Sequence, residues 1–180
     1  MKTILIFVSS LDGKVTKWDN PQVRSWSSKN DQEYFDKIWN DTKVVIMGRG
    51  TYKQDPVMPN SRHLFIVMTK KPDKYKRNGK EGQLEFTDEP PSSLVNRFEI
   101  EGYKKILVVG GPQIATAFLR EQLIDELWLT IEPKIFGLGA SFVVEEKLDI
   151  NLNLLSCEKI NEQGTLITKY TVLRKNIVNE

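Results

Sequence analysis

Four uninterrupted apolar runs constrain this chain more than any other feature: Ile4–Val8, Val44–Met47, Leu64–Met68 and Ile106–Val109. Each has the length of a strand, and none alternates. Such strands are buried on both faces, as in a parallel sheet with helices on either side. The intervening segments have helical spacing. Ser28-Lys29-Asn30-Asp31 resembles a capping box, after which Tyr34, Phe35, Ile38 and Trp39 fall on one face. Pro91-Ser92-Ser93 opens a second helix carrying Leu94, Val95, Phe98 and Ile100. Pro112 opens a third, where its missing N–H costs nothing, and Ile114, Ala115, Phe118 and Leu119 form its apolar face. A short strand is expected at Gln83–Phe86.

From Asp125 the pattern alternates. Leu127, Leu129 and Ile131 point one way, Trp128 and Thr130 the other. Leu152–Ile160 and Thr165–Arg174 then read as two strands joined by the hairpin signal Asn161-Glu162-Gln163-Gly164. The expected fold is α/β: a central mixed sheet of about eight strands, parallel at its centre and antiparallel at its C-terminal strands, flanked by helices. Its 180 residues fit one domain, 1–180.

Composition excludes whole classes of chemistry. The single His63 and single Cys157 cannot build a zinc site of Cys/His type within one chain, and no metal is expected. One cysteine allows no intrachain disulfide, so a reducing, cytoplasmic location is expected. His63 lies in the strand-like run Arg62–Met68, a poor place for a triad base, and Cys157 reads as a core or sheet residue. No apolar run approaches the ~20 residues that span a membrane. Lys plus Arg number 26 against 24 Asp plus Glu, a formal charge of +2. Without basic patches interleaved with aromatics, a nucleic-acid partner is not expected.

Two glycine turns stand where buried strands end. Gly48-Arg49-Gly50-Thr51 follows the second run, and Gly110-Gly111-Pro112-Gln113-Ile114 joins the fourth to a helix. In open α/β sheets ligands bind at the carboxyl ends of strands, and a glycine turn lets backbone approach a pyrophosphate. The same glycines serve equally to make tight turns. Neither segment is a G-x-G-x-x-G or Walker loop.

Val45-Ile46-Met47-Gly48-Arg49-Gly50-Thr51-Tyr52, with Pro59-Asn60-Ser61-Arg62 and Ile66-Val67-Met68-Thr69, resembles the centre of the dihydrofolate reductase fold. Val108–Ile114 resembles its second cofactor loop. Ser10-Leu11-Asp12-Gly13-Lys14-Val15, Leu123–Leu127, Pro133–Gly139 and Tyr170 are similar to the related reductase domain of riboflavin biosynthesis, the C-terminal half of the bifunctional deaminase-reductase. The similarity runs from about Thr3 to Arg174. It implies a dihydrofolate reductase-like fold and an NADPH-dependent oxidoreductase acting on a small heterocycle, a pterin or a ribosylamino-pyrimidine. A non-catalytic NADPH-binding sensor or partner module of the same fold is the alternative, and the riboflavin-type resemblance also implies a homodimer.

Matched residue by residue, the resemblance places NADPH against Gly48, Arg49, Gly50, Thr51, Gly110, Gly111, Pro112, Gln113 and Ile114. Thr69, Lys70 and Lys71 match the adenosine end, and Thr16 and Gly137 complete the cofactor set. A basic run, Lys70 to Lys80, starts there, and its first members would favour a 2′-phosphate. Trp26, Asp31 and Phe35 have the spacing of a pterin pocket, which makes Asp31 the expected catalytic acid. Val8, Trp26, Phe35 and Asp12 are the expected substrate contacts. Asp31 is also the acid of the capping box, and Asp12 also a turn residue of Asp-Gly. Two departures stand out. The riboflavin reductases' first-strand lysine is here Ile6, and Pro21-Gln22-Val23-Arg24 resembles their arginine segment only under an alignment that excludes the pterin spacing of Trp26–Phe35.

Overall fold

A computed structural model describes residues 1–174, so the end of the expected domain, 175–180, lies outside the described residues. The chain runs β1 (Lys2–Ser10), α1 (Lys29–Asn40), β2 (Val44–Gly48), α2 (Arg49–Gln54), β3 (Leu64–Met68) and β4 (Leu84–Thr87). It continues α3 (Pro91–Ile100), β5 (Lys105–Val108), α4 (Pro112–Arg120), β6 (Glu126–Glu132), β7 (Asn151–Lys159) and β8 (Leu166–Leu173). All eight strands form one sheet in the order β4-β3-β2-β5-β1-β6-β8-β7. The pairings from β4 across to β6 are parallel, and β8 runs antiparallel to both β6 and β7. The sheet is therefore the mixed one expected. Among the described residues no helix is long and apolar enough to cross a membrane.

Both faces of the sheet centre are covered, which explains the unbroken apolar runs. On one face Leu5, Ile46, Ile66, Ile106 and Val108 pack against Leu94 and Phe98 of α3 and Ala115 and Phe118 of α4. On the other, Ile4, Ile6 and Leu107 meet Ile38, Tyr34 and Phe35 of α1. Burying one such side chain stabilises by about 1.5–3 kcal/mol, so this two-sided core dominates the folding energy. Ile100, expected on the inner face of α3, is instead 87% exposed because it sits at the end of the helix, past the last turn on the sheet. Cys157 lies in the sheet but not in the core: β7 is the edge strand, and the thiol is exposed.

The neighbours β1 and β5 send the chain in opposite directions. β1 continues through α1 to β2 on one side, and β5 continues through α4 to β6 on the other. A crevice opens at the carboxyl ends of two such strands, the usual ligand position in an open α/β sheet.

Candidate functional site

The two glycine turns meet at this crevice. The Gly48 N–H donates to the Gly110 carbonyl at 2.8 Å. A Cβ on Gly48 would stand 2.9 Å from Ile114 Cγ1, so the first turn packs directly on the second. Gly110 has φ +109, and a Cβ there would stand 2.9 Å from the Phe7 ring. The Gly110–Gly111 peptide is cis. Past Gly48 the turn runs on into α2, not expected from the sequence, which is pinned by buried Tyr52. Arg49 and Gly50, at the start of that helix, are exposed.

Gly111 is the N-cap of α4 and supplies no side-chain cap, so the first-turn amides, Gln113 among them, keep the positive end of the helix dipole open. Arg49, Lys70 and Lys71 are exposed on the same side of the sheet's strand ends, while Thr69 is buried and its Oγ1 accepts the Lys71 N–H at 3.3 Å. A backbone cradle of two touching glycine turns, an uncapped helix and a guanidinium fits a dinucleotide diphosphate. Further along the basic run, Lys76 is tied to Asp73 at 2.7 Å on the surface.

The acid lies on the other side of β1. Parallel register sets Val8 beside Thr130 and Ser10 beside Glu132, so these residues share the sheet face that α1 covers. Asp31, in the first turn of α1, is packed onto that face at 4% exposure. Burial pushes its carboxyl up to about 6; the Thr130 and Ser27 hydroxyls and the Arg24 charge pull it back, and Glu132 adds to the rise. Trp26, 4% exposed, packs edge-on against Phe136 with centroids 5.1 Å apart. Its carbonyl accepts from Lys134 Nζ. The Trp26 Nε1 and Tyr34 hydroxyl, on either side of Asp31 in sequence, are buried without a hydrogen-bond partner. Phe35 is half-buried and tilted against Trp39 at 5.5 Å. The structure thus sets Trp26 and Asp31 at the start of α1, with Phe35 one turn further along the helix and Val8 beside Thr130 on the sheet face that α1 covers.

The remaining expected residues have other surroundings. Asp12 stands in the Asp-Gly turn, and its carboxylate accepts from Ser10 Oγ at 2.6 Å, Phe136 N at 3.1 Å and Gly137 N at 2.8 Å. Those bonds, the Ser10 hydroxyl first, hold it down at about 2. Its geometry is that of a loop tie, its oxygens bonded to Ser10, Phe136 and Gly137. Thr16 Oγ1 accepts from Ala140 N at 2.8 Å and donates to the Trp18 carbonyl at 3.2 Å. Asp12, Thr16 and Gly137 therefore fasten the loop after β1 to the loop after β6, at the rim of the crevice. Arg24 pairs with Asp36 at 2.6 Å on the surface, and Ile6 is a core residue at 3% exposure. His63 is buried between Asn60 and the Trp39 carbonyl near the far end of α1, in reach of 3.0 and 3.2 Å.

Sequence reasoning missed Thr130 and Glu132. The alternation of β6 set Leu127, Leu129 and Ile131 on one face and Trp128 and Thr130 on the other, without saying which face is buried; of the first three only Leu127 is buried. Thr130 and Glu132, 2% and 1% exposed, are the buried pair. The carboxyl half of β6 faces the first turn of α1 rather than solvent. A polar residue at every second position is the same signal for a solvated face and for a polar pocket.

Sheet order and the crevice at the strands' carboxyl ends give the chain a dihydrofolate reductase-like fold. The chain belongs to the RibD C-terminal domain family, whose model matches residues 1–166. It is 27% identical over 167 residues to YwjB of Bacillus subtilis (strain 168), a protein described as uncharacterized, covering 89% of this chain and 93% of that one. A pyrimidine reductase-like protein of Corynebacterium diphtheriae superposes with a TM-score of 0.76 at 16% identity, over 97% of this chain and 92% of that one. The diaminohydroxyphosphoribosylaminopyrimidine deaminase/5-amino-6-(5-phosphoribosylamino)uracil reductase of Thermotoga maritima does so with a TM-score of 0.71 at 16% identity, over 94% of this chain and 56% of that one. At such identities the solved structures establish the fold.

Proposed function

We propose that this chain is an NADPH-dependent reductase that delivers a hydride to a C=N type bond of a small heterocycle. The observation that carries the reading is a buried acid, Asp31, held near a physiological pKa at the edge of a crevice whose other wall is a double glycine cradle. Bound NADPH supplies the hydride. The turns that carry Gly48, Gly50, Gly110 and Gly111 would hold its diphosphate, and Arg49, Lys70 and Lys71 would meet the adenosine phosphates. Val8 and Phe35 give the heterocycle an apolar floor and flank. Asp31 then carries the proton: its acid form gives it to the ring nitrogen as the adjacent carbon gains the hydride, so C=N becomes CH–NH.

Between the two substrate classes, the surroundings favour an unphosphorylated pterin-like ring. Arg24 is engaged by Asp36, Lys134 by the Trp26 carbonyl, and Ile6 is in the core. The family name and the uracil reductase activity of the Thermotoga neighbour support the ribosylamino-pyrimidine as the second substrate to test. We take the chain as one domain working in the cytoplasm with a small-molecule partner.

The test is NADPH oxidation with dihydrofolate, a dihydropterin and the ribosylamino-pyrimidine in turn. Turnover with one of them is expected, and Asp31→Asn should lower kcat by about 10²-fold, the usual worth of a positioned acid. Absence of NADPH binding by calorimetry overturns the reading. Binding without turnover on any of the three reassigns the chain as a sensor.

A further inference from the structure

Asp31 is placed to be the acid of a capping box, the third residue of the helix, and in that role it would face away from any substrate. Ser28 is the N-cap of α1, and its hydroxyl accepts the Asp31 N–H at 3.2 Å. In a complete box the acid reaches back to the N-cap N–H. Here that N–H donates to Glu132 Oε1, 104 residues away, at 2.6 Å. The other Glu132 oxygen accepts from Thr165 Oγ1 at 2.9 Å. Thr165 is in turn held by Asn161, whose Nδ2 donates to Thr165 Oγ1 at 2.8 Å and whose Oδ1 accepts the Thr165 N–H at 3.0 Å. A chain of bonds thus runs from the β7–β8 hairpin through the end of β6 to the start of α1.

Resting on the reductase reading above, we propose that Glu132 is the positioning residue of this site: it caps α1 in place of Asp31 and so leaves the Asp31 carboxyl for substrate. Both carboxylates are buried, and a buried charge kept with both oxygens satisfied marks a specific arrangement. Glu132 also acts through charge. The titratable groups facing Asp31 are Glu132 from β6, Arg24 from the turn before α1 and Tyr34 from its own helix. Behind Tyr34 stand Glu158 of β7 and Lys169 of β8, the latter 5.9 Å from the ring. Of these, Glu132 is the anion that opposes ionisation of Asp31 directly.

The experiment compares the full chain with Glu132→Gln and Glu132→Ala. Two readouts are used: the pH profile of NADPH turnover, and a carbon-13 NMR titration of the Asp31 carboxyl, with Asp31→Asn as the assignment control. Gln keeps the acceptor for Ser28 N–H and removes the charge. The Asp31 midpoint, and the limb on which kcat falls as pH rises, should both move down by about 0.5–1 pH unit, with KM near wild type. Ala opens the cap, and kcat should fall about tenfold or more at unchanged helix content by circular dichroism. Should Ala fail to fold, the isosteric Gln still decides the matter. An unmoved Asp31 midpoint in Glu132→Gln overturns the proposal. A moved midpoint in a chain that turns over none of the substrates upholds the positioning role and removes the reductase reading alone.

Discussion

Asp31 stabilises the fold only while it carries a proton. Its folded pKa of about 6 lies above the ordinary 3.8, because burial disfavours the anion more than the neighbouring hydroxyls favour it. A group with a raised folded pKa contributes stability that is fully present below the unfolded value and lost as pH rises through the folded one. The window here is about pH 4 to 6, and the loss is about 2–3 kcal/mol. Urea unfolding at pH 4 and pH 7.5 should therefore show wild type losing that much more than Asp31→Asn. Parallel losses in the two proteins would mean that the carboxyl is solvated. On the reductase reading proposed above, this is the usual cost of holding a proton donor at neutral pH. Asp12 has the opposite character. Its bonds to Ser10, Phe136 and Gly137 favour the anion, which suits a tie between loops and not a proton donor.

Among the elements, the junction of β5 and α4 carries a tight constraint. Gly110 combines a positive φ of +109 with a Phe7 ring at 2.9 Å from any added Cβ. Ala at this position has to bear the left-handed backbone and displace the β1 side chain as well. A destabilisation of about 1–3 kcal/mol is expected for Gly110→Ala, measured by urea unfolding, together with weaker NADPH binding by calorimetry. A change below about 0.5 kcal/mol would mean that Phe7 and the turn shift freely. The element β6 shows why local pattern has limits. Its alternation is that of a half-exposed strand, yet it pairs in parallel with β1 and buries Thr130 and Glu132. The cap of α1 has the same lesson. Ser28 and Asp31 were legible as a box, but the acid that closes it comes from β6.

For the whole molecule, the cofactor should act as a clamp across the crevice, because it would touch both glycine turns at once. At 100 times its Kd a ligand of the folded state adds about 2.7 kcal/mol, which for a chain of this size raises Tm by about 5–10 °C. NADPH should give that rise and NADH a smaller one, since Arg49, Lys70 and Lys71 have a 2′-phosphate to meet only in the former. No rise with either dinucleotide would remove the cofactor site. Much of this arrangement could be read from the chain alone. The apolar runs, the helix caps, Pro112 and the two glycine turns are local signals, set by backbone sterics and by burial that repeats within a few residues. They determined the kinds of element, their order and the places where a ligand could approach backbone. Tertiary structure decided the rest. It set Gly48 on Gly110, tied Asp12 and Thr16 into the loops at the rim, and put Glu132 on the start of α1, a contact 104 residues long. Such contacts depend on which strands become neighbours, and burial of a polar side chain is fixed by what packs over it, which no period along the chain records.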